Sequence, residues 1–146
     1  MFDPRSSDDL TYTRTFNAPR ALIFRCMTHP EHLANFWGPA GTTTPIDTII
    51  VDLQPGGTFE TTMINDADGS RYVSRAEYLE IVEPDRLVWT DREHGTTTTV
   101  DFVDLDGERT EIHIHQKGAP QTFHTGRARA GFTTSLDRLE QYLTTQ

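Results

Sequence analysis

A chain of 146 residues with 22 acidic against 13 basic side chains carries a formal net charge of -9, and no basic run interleaved with aromatics offsets it. That balance argues against a nucleic-acid partner. No apolar stretch approaches the roughly 20 residues needed to cross a bilayer, so no membrane span is expected. The lone cysteine, Cys26, leaves no intramolecular disulfide, and the opening "MFDPRSSDDL" has neither a basic nor an apolar leader region. Both features point to the cytoplasm. The length suits one domain over residues 1–146, with 1–8 as a flexible tail. Eight Phe, four Tyr and two Trp fall in periodic segments, which argues against disorder.

In chain order, "LTYTRTF" alternates apolar with polar residues and reads as a strand. "APRALIFRCM" opens with Pro19 near a first helical turn and places Ile23, Phe24, Cys26 and Met27 close to helical spacing. "THPEHLANFW" follows with Thr28 three residues before Glu31, a possible capping box, and Pro30 where a missing N–H costs little. This second short helix is expected to run through Phe36 and Trp37 until Gly38-Pro39 stops it, so the two aromatics point about 100° apart. Phe36 is then expected to plug the core and Trp37 to stand at the mouth of any site.

From Thr42 to Gln116 the period becomes two. The runs "TTTPIDTIIVDL", "GTFETTMI", "SRYVSRAEYLEIV", "DRLVWTD", "TTTTVDFV" and "TEIHIHQ" are separated by turn signals at Pro55-Gly56-Gly57, Asp66 to Gly69, Pro84-Asp85, His94-Gly95 and Asp106-Gly107. With the first strand they predict about seven antiparallel strands in an open curved sheet, an α+β fold whose inner face needs a cover. The cover is the carboxy-terminal segment, where Phe132, Leu136, Leu139 and Leu143 form an apolar stripe at helical spacing. Projected backward, that stripe meets Ala128 and Thr125, residues too small to fill the space over a concave sheet. A cavity is expected there.

Several motifs weigh little chemically. "PGG" lacks phosphate-loop spacing and reads as a tight turn. His113 and His115 share one face of a strand and could ligate a metal with a third ligand, for which His94, His124 and several carboxylates are candidates that no spacing fixes, so they are read as solvent-facing, like His29 and His32. Cys26 lies in an apolar stripe and reads as a buried small hydrophobe. Glu60, Glu77, Asp91 and Asp101 sit on strands; a pair of them in a cavity could do general acid/base work, but no pair is fixed by the sequence and they are expected on the convex, wet side. In "SRYVSRAEY", Arg71 and Arg75 alternate with Tyr72, Ser74, Ala76 and Tyr78, and the tyrosine row is expected to face inward. Arg14 stays open as a group for an anionic ligand. The inward sets Phe59 and Met63, Leu87 and Trp89, Val100 and Phe102, and Ile112 and Ile114 cover the inner face. Together with the small-residue half of the last helix they read as the lining of an apolar pocket.

Five segments, "APRALIFRCMTHPEHLANFWGP", "VDLQPGGTFETTM", "DADGSRYVSRAEYLEIVEPDRLVWT", "GERTEIHI" and "GFTTSLDRLEQYL", taken in this order, resemble the START-like (SRPBCC) superfamily. Within it they resemble the family related to the carboxy-terminal domain of the heat-shock-ninety ATPase activator. Trp37, Pro39, Gly56, Gly57, Gly69, Tyr78, Pro84, Leu87, Thr110, Phe132, Leu136 and Leu139 match its usual motifs, with Phe132 where relatives often carry Trp. The resemblance implies a helix-grip fold, with a cavity for an apolar or amphipathic molecule between sheet and long helix. The co-chaperone's separate chaperone-engaging domain is not accommodated in this length, so ATPase activation is not expected.

The lining residues taken forward are Trp37, Phe59, Met63, Tyr72, Tyr78, Trp89, Phe102, Ile112, Ile114, Thr125, Ala128 and Phe132. The expected partner is a small hydrophobic or aromatic molecule, with no cofactor, no metal and a possible homodimer at an exposed sheet edge. A cofactor-independent cyclase, dehydratase or hydrolase in the same cavity is the alternative, and a chaperone-partner module the third. No catalytic set carries over from the family.

Overall fold

The computed structural model describes residues 9–146; the expected tail over 1–8 lies outside the described residues. The elements run β1 (Leu10–Phe16), α1 (Arg20–Cys26), α2 (Pro30–Leu33), β2 (Thr42–Thr43), β3 (Ile50–Val51), β4 (Thr58–Asn65), β5 (Arg71–Val82), β6 (Arg86–Asp91), β7 (Thr96–Asp104), β8 (Thr110–Lys117) and α3 (Gly126–Leu143). Single 3-10 turns occupy Ile46–Thr48 and Gln121–Phe123. Every pairing is antiparallel, in the order β1-β8-β7-β6-β5-β4-β2, with β3 also on β4. The fold is α+β: one curved sheet, α3 lying across its concave face, and α1 and α2 closing one end.

Period two sets which face is inside. On β7, Thr96, Thr98, Val100 and Phe102 are buried, and on β8 Thr110, Ile112 and Ile114 are. The intervening residues point out and form cross-strand ion pairs: Arg75 with Glu60 at 3.0 Å, Arg92 with Glu77 at 2.8 Å, and Arg86 with Asp101 at 2.7 Å. Exposed pairs of this kind contribute little each, but they mark the convex face as wet. A register shift between Tyr78 and Glu80 turns β5 over at Leu79, which is left 46% exposed while Ile81 packs on the core. One extra residue in a strand bends it, and here the bend helps the sheet curl around α3.

Two elements depart from expectation. The run 42–53 is not one strand, because Pro45 leads into the 3-10 turn and only β2 and β3 pair, at separate points on β4. The sheet therefore has eight strands rather than seven. The second helix ends at Leu33, so Phe36 and Trp37 stand in the turn that follows it. Its cap is His29, without a side-chain bond, because the Thr28 hydroxyl donates to the Phe24 carbonyl at 2.9 Å and closes the end of α1 instead. The capping box is not formed. The turn read at Pro55-Gly56-Gly57 is present and tight: a Cβ on Gly57 would lie 2.0 Å from the Asp52 carbonyl oxygen.

The long helix starts where its chemistry says it should. Thr125 is its cap, the hydroxyl accepting from the Ala128 amide at 3.0 Å. Leu139 is fully buried, and Phe132, Leu136, Tyr142 and Leu143 pack half-buried on the core. Arg14 of β1 grips the same helix through Asp137 at 2.6 Å and Glu140 at 3.2 Å. The open question about Arg14 is thus answered by an interelement clamp.

Candidate functional site: a cavity between sheet and helix

Small residues face each other across the fold. Ala128, Ala130, Gly131 and Ser135 on α3 look onto Ser74 and Ala76 of β5 and Thr96 and Thr98 of β7. None is long enough to reach the opposite layer, and stacked layers stand about 10 Å apart. A cavity of about 1230 Å³ results, larger than ordinary small-molecule sites. Its apolar end is formed by Met27, Phe36, Val100, Ile112, Ile114 and Leu139.

Aromatic packing stiffens the walls. Trp37 meets Phe59 edge-on at 5.3 Å and Trp89 at 6.3 Å, and Phe59 meets Trp89 at 5.2 Å. Across the cavity Tyr12 stacks on Phe132 at 4.2 Å, with the Arg129 guanidinium 5.7 Å from the Tyr12 ring. The loop Gly38 to Thr42 forms one rim and is held to α3. Arg138 donates to the Gly38 and Pro39 carbonyls at 2.8 and 3.1 Å, and the Ala40 amide donates to the Thr134 hydroxyl at 2.9 Å.

Of the residues singled out in the sequence, Trp37, Met63, Tyr72, Trp89, Ile112, Ile114, Thr125, Ala128 and Phe132 line this cavity. Phe59, Tyr78 and Phe102 do not. Phe59 lies behind Trp37 and Trp89, Tyr78 stacks behind Phe59 at 5.5 Å, and Phe102 packs on Phe24 of α1 at 5.3 Å. Alternation tells which face a residue takes, not how far along the strand the covering element changes. Here α1 and α2 fill the end where those three rings sit. Phe36 and Trp37 both border the cavity, Phe36 at 3% exposure and Trp37 half-buried, so plug and rim are adjoining parts of one wall.

Polar groups on the wall extend beyond the expected Ser74 and Thr125. Asp91, expected on the wet side, lines the cavity, as do Thr98 and Gln116, while Ser74 lines it as its row predicted. The signal was available, since Asp91 shares parity with Leu87 and Trp89, and Gln116 with Ile112 and Ile114. Asp91 folds its carboxylate into its own turn. One oxygen accepts from the Glu93 and His94 amides at 2.9 and 3.3 Å, and the other pairs with His94 Nδ1 at 2.8 Å. This hydrogen bond to Asp91 raises the His94 pKa above its usual value. The His94 ring lies 6.5 Å from Tyr72 and 6.1 Å from Phe123, both cavity residues. Burial, then the charges of Asp91 and Glu93, raise the pKa of Tyr72.

Asp91, Glu93 and His94 offer three potential cation ligands within 4.8 Å of one another. Both oxygens of Asp91 already accept hydrogen bonds, so the turn itself explains the group. His113 and His115 point outward, paired with Glu111 at 2.6 Å and Asp9 at 2.9 Å. His29 bonds the Arg25 carbonyl at 3.0 Å and His32 the Tyr142 hydroxyl at 2.6 Å. Cys26 is fully buried, and burial pushes its thiol up to about 11, which removes it as a nucleophile.

A family model described as "Activator of Hsp90 ATPase homolog 1-like protein" matches residues 17–144. The chain belongs to this family. Among solved structures, a protein from Chromobacterium violaceum is similar at 25% identity and TM-score 0.83, over 91% of this chain and 95% of its own. One from Nitrosomonas europaea is similar at 24% identity and TM-score 0.84, over 99% and 97%. The AHSA1-like protein from Aeromonas hydrophila is similar at 18% identity and TM-score 0.76, over 93% of each chain. No curated protein matches. The sheet closed around α3 is the helix-grip fold of START-like proteins, as the resemblance implied. No helix among the described residues is long and apolar enough to cross a membrane.

Proposed function

We propose that this AHSA1-like protein binds a small hydrophobic or aromatic molecule in the cavity between its sheet and α3. The observation that carries the reading is the 1230 Å³ space walled by aromatic and small apolar side chains. A ligand burying about 300 Å² of apolar surface would gain roughly 7 kcal/mol of transfer free energy, from which the cost of association is subtracted. A buried, unreactive Cys26 fits a reducing cytoplasm.

The chain's two tryptophans, Trp37 and Trp89, both stand on the wall, so the site has its own reporter. Titration with the neutral apolar probe N-phenyl-1-naphthylamine is expected to quench tryptophan emission saturably at one probe per chain. Native mass spectrometry of protein taken directly from cells is expected to show a copurifying small molecule. No saturable quenching together with no bound mass would overturn the proposal.

One observation favours a second reading, cofactor-independent chemistry in the same cavity. Asp91 bonds His94 Nδ1, the arrangement in which a carboxylate orients an imidazole base. On this reading the copurified molecule is converted by the wild type, and Asp91→Asn, which keeps the turn but not the charge, abolishes conversion while binding persists. Equal conversion by both proteins would exclude it.

A further inference from the structure

The cavity wall changes character along the strands. Between β7 and β8, Val100 pairs with Ile114, and one inward-facing step further Thr98 pairs with Gln116. Between β6 and β7, Trp89 pairs with Thr98 and Asp91 with Thr96. A polar level therefore crosses the floor of the cavity beside an apolar one, roughly 7 Å apart along the ladder.

Thr98 is the informative residue. It is 6% exposed as a residue and lines the cavity, and its hydroxyl, with no hydrogen bond among the described residues, opens on that space, unlike the fully enclosed oxygens of Thr61 and Tyr78. The Gln116 amide opposite also borders the cavity with no side-chain bond among the described residues. A hydroxyl on a cavity wall keeps its donor and acceptor free for whatever occupies the cavity. Valine fits the same space and the same strand preference, and stands two residues on in the same row at Val100. Packing alone does not account for the hydroxyl.

Building on the cavity reading above, we infer that Thr98 and Gln116 form the hydrogen-bonding subsite for the head of an uncharged amphipathic ligand. That head carries a hydroxyl or carbonyl, and the apolar body lies toward Val100, Ile112 and Leu139. Hydroxyl and amide both donate and accept, which matches a neutral head of either kind. An anionic head is disfavoured, because Asp91 holds a fixed negative charge on the neighbouring level, its oxygens already bonded to Glu93 and His94. Arg127, which also borders the cavity, is exposed on the first turn of α3 and belongs to its rim.

Three probes with one body separate the possibilities: biphenyl, 4-phenylphenol and biphenyl-4-carboxylate, each measured by equilibrium dialysis against the full chain. 4-Phenylphenol is expected to bind about tenfold tighter than biphenyl, the value of one well-made hydrogen bond, with the carboxylate weakest. Thr98→Val is expected to bring 4-phenylphenol to within about twofold of biphenyl, to leave biphenyl unchanged, and to keep or raise Tm. Gln116→Met is expected to reduce the same preference independently. Equal binding of biphenyl and 4-phenylphenol by the wild type overturns the subsite and leaves the cavity reading standing. So does full retention of the preference in Thr98→Val. A tightest-binding carboxylate overturns the neutral head. Failure of all three probes to bind, with no quenching by N-phenyl-1-naphthylamine, overturns both proposals.

Discussion

Cys26 and His94 show how surroundings decide what a reactive side chain does. With its thiol pushed up to about 11 and no exposed surface, Cys26 is expected to resist iodoacetamide at about pH 8 in the native protein and to react on denaturation. Rapid native labelling would mean that α1 opens. His94 is held by Asp91, with Glu93 on the same turn and Tyr72 on β5 as the other titratable groups beside it. Its native pKa is raised from 6.5, so the unfolded chain releases that proton first as pH rises. The stabilisation is full below about pH 6.5 and is lost as pH climbs through the raised native value. His94→Asn is therefore expected to flatten the fall in Tm between about pH 6 and pH 8, read as the difference from wild type. An unchanged slope would show that the Asp91 bond does not persist in solution.

Helix α3 does opposite work in its two halves. Leu136, Leu139 and Leu143 fill the core, while Thr125, Ala128 and Gly131 leave the space. Ala128→Leu is expected to abolish probe binding with stability unchanged or raised by about 1 kcal/mol, because a longer side chain fills a void without displacing a neighbour. Retained affinity would place the ligand elsewhere. The rim is sensitive at Gly38, whose φ of +96° suits glycine and where a Cβ would lie 2.7 Å from Thr42 Oγ1 and 2.9 Å from Met63 Sδ. Gly38→Ala is expected to cost about 2 kcal/mol in chemical denaturation, and Arg138→Met about 1 kcal/mol with faster amide exchange at Ala40 and Thr42.

This helix is also where the sequence was most readable. Its stripe named the core half, and the absence of large residues upstream named the cavity half. Strand faces followed from alternation, as the inward Tyr72, Ser74, Ala76 and Tyr78 row shows. Depth did not follow: whether Phe59 or Phe102 meets a ligand depends on where α1 and α2 lie across the sheet, which is tertiary information. The missed cap of α2 has a similar cause, since the hydroxyl of Thr28 had two backbone partners within reach and took the Phe24 carbonyl. Asp91 was misjudged because carboxylates generally face water, although its parity pointed inward.

At the scale of the molecule, the -9 charge is spread over a surface whose convex sheet face sets acids against arginines. Excess negative charge opposes compaction, and screening relieves it. Raising NaCl from about 10 to about 150 mM is expected to raise Tm, and a fall would mean that the cross-strand ion pairs outweigh the net repulsion. Within the curved sheet β4 to β8 pair in chain order, and β1 with β8 is the pairing that spans nearly the whole chain, so closing β1 onto β8 is the long-range step of folding.

The Arg14 clamp has a temporal side. It joins β1 to Asp137 and Glu140, near the end of the last helix, so the concave face is covered only after residues 126–143 have been synthesised. Until then a nascent chain with β4 to β8 already paired exposes a trough of Trp89, Val100, Ile112 and Ile114. Such a trough attracts any apolar surface nearby, including other nascent chains. On the proposed ligand-binding reading, a small apolar molecule present at that moment would compete with those surfaces for the trough and act as a template on which α3 closes.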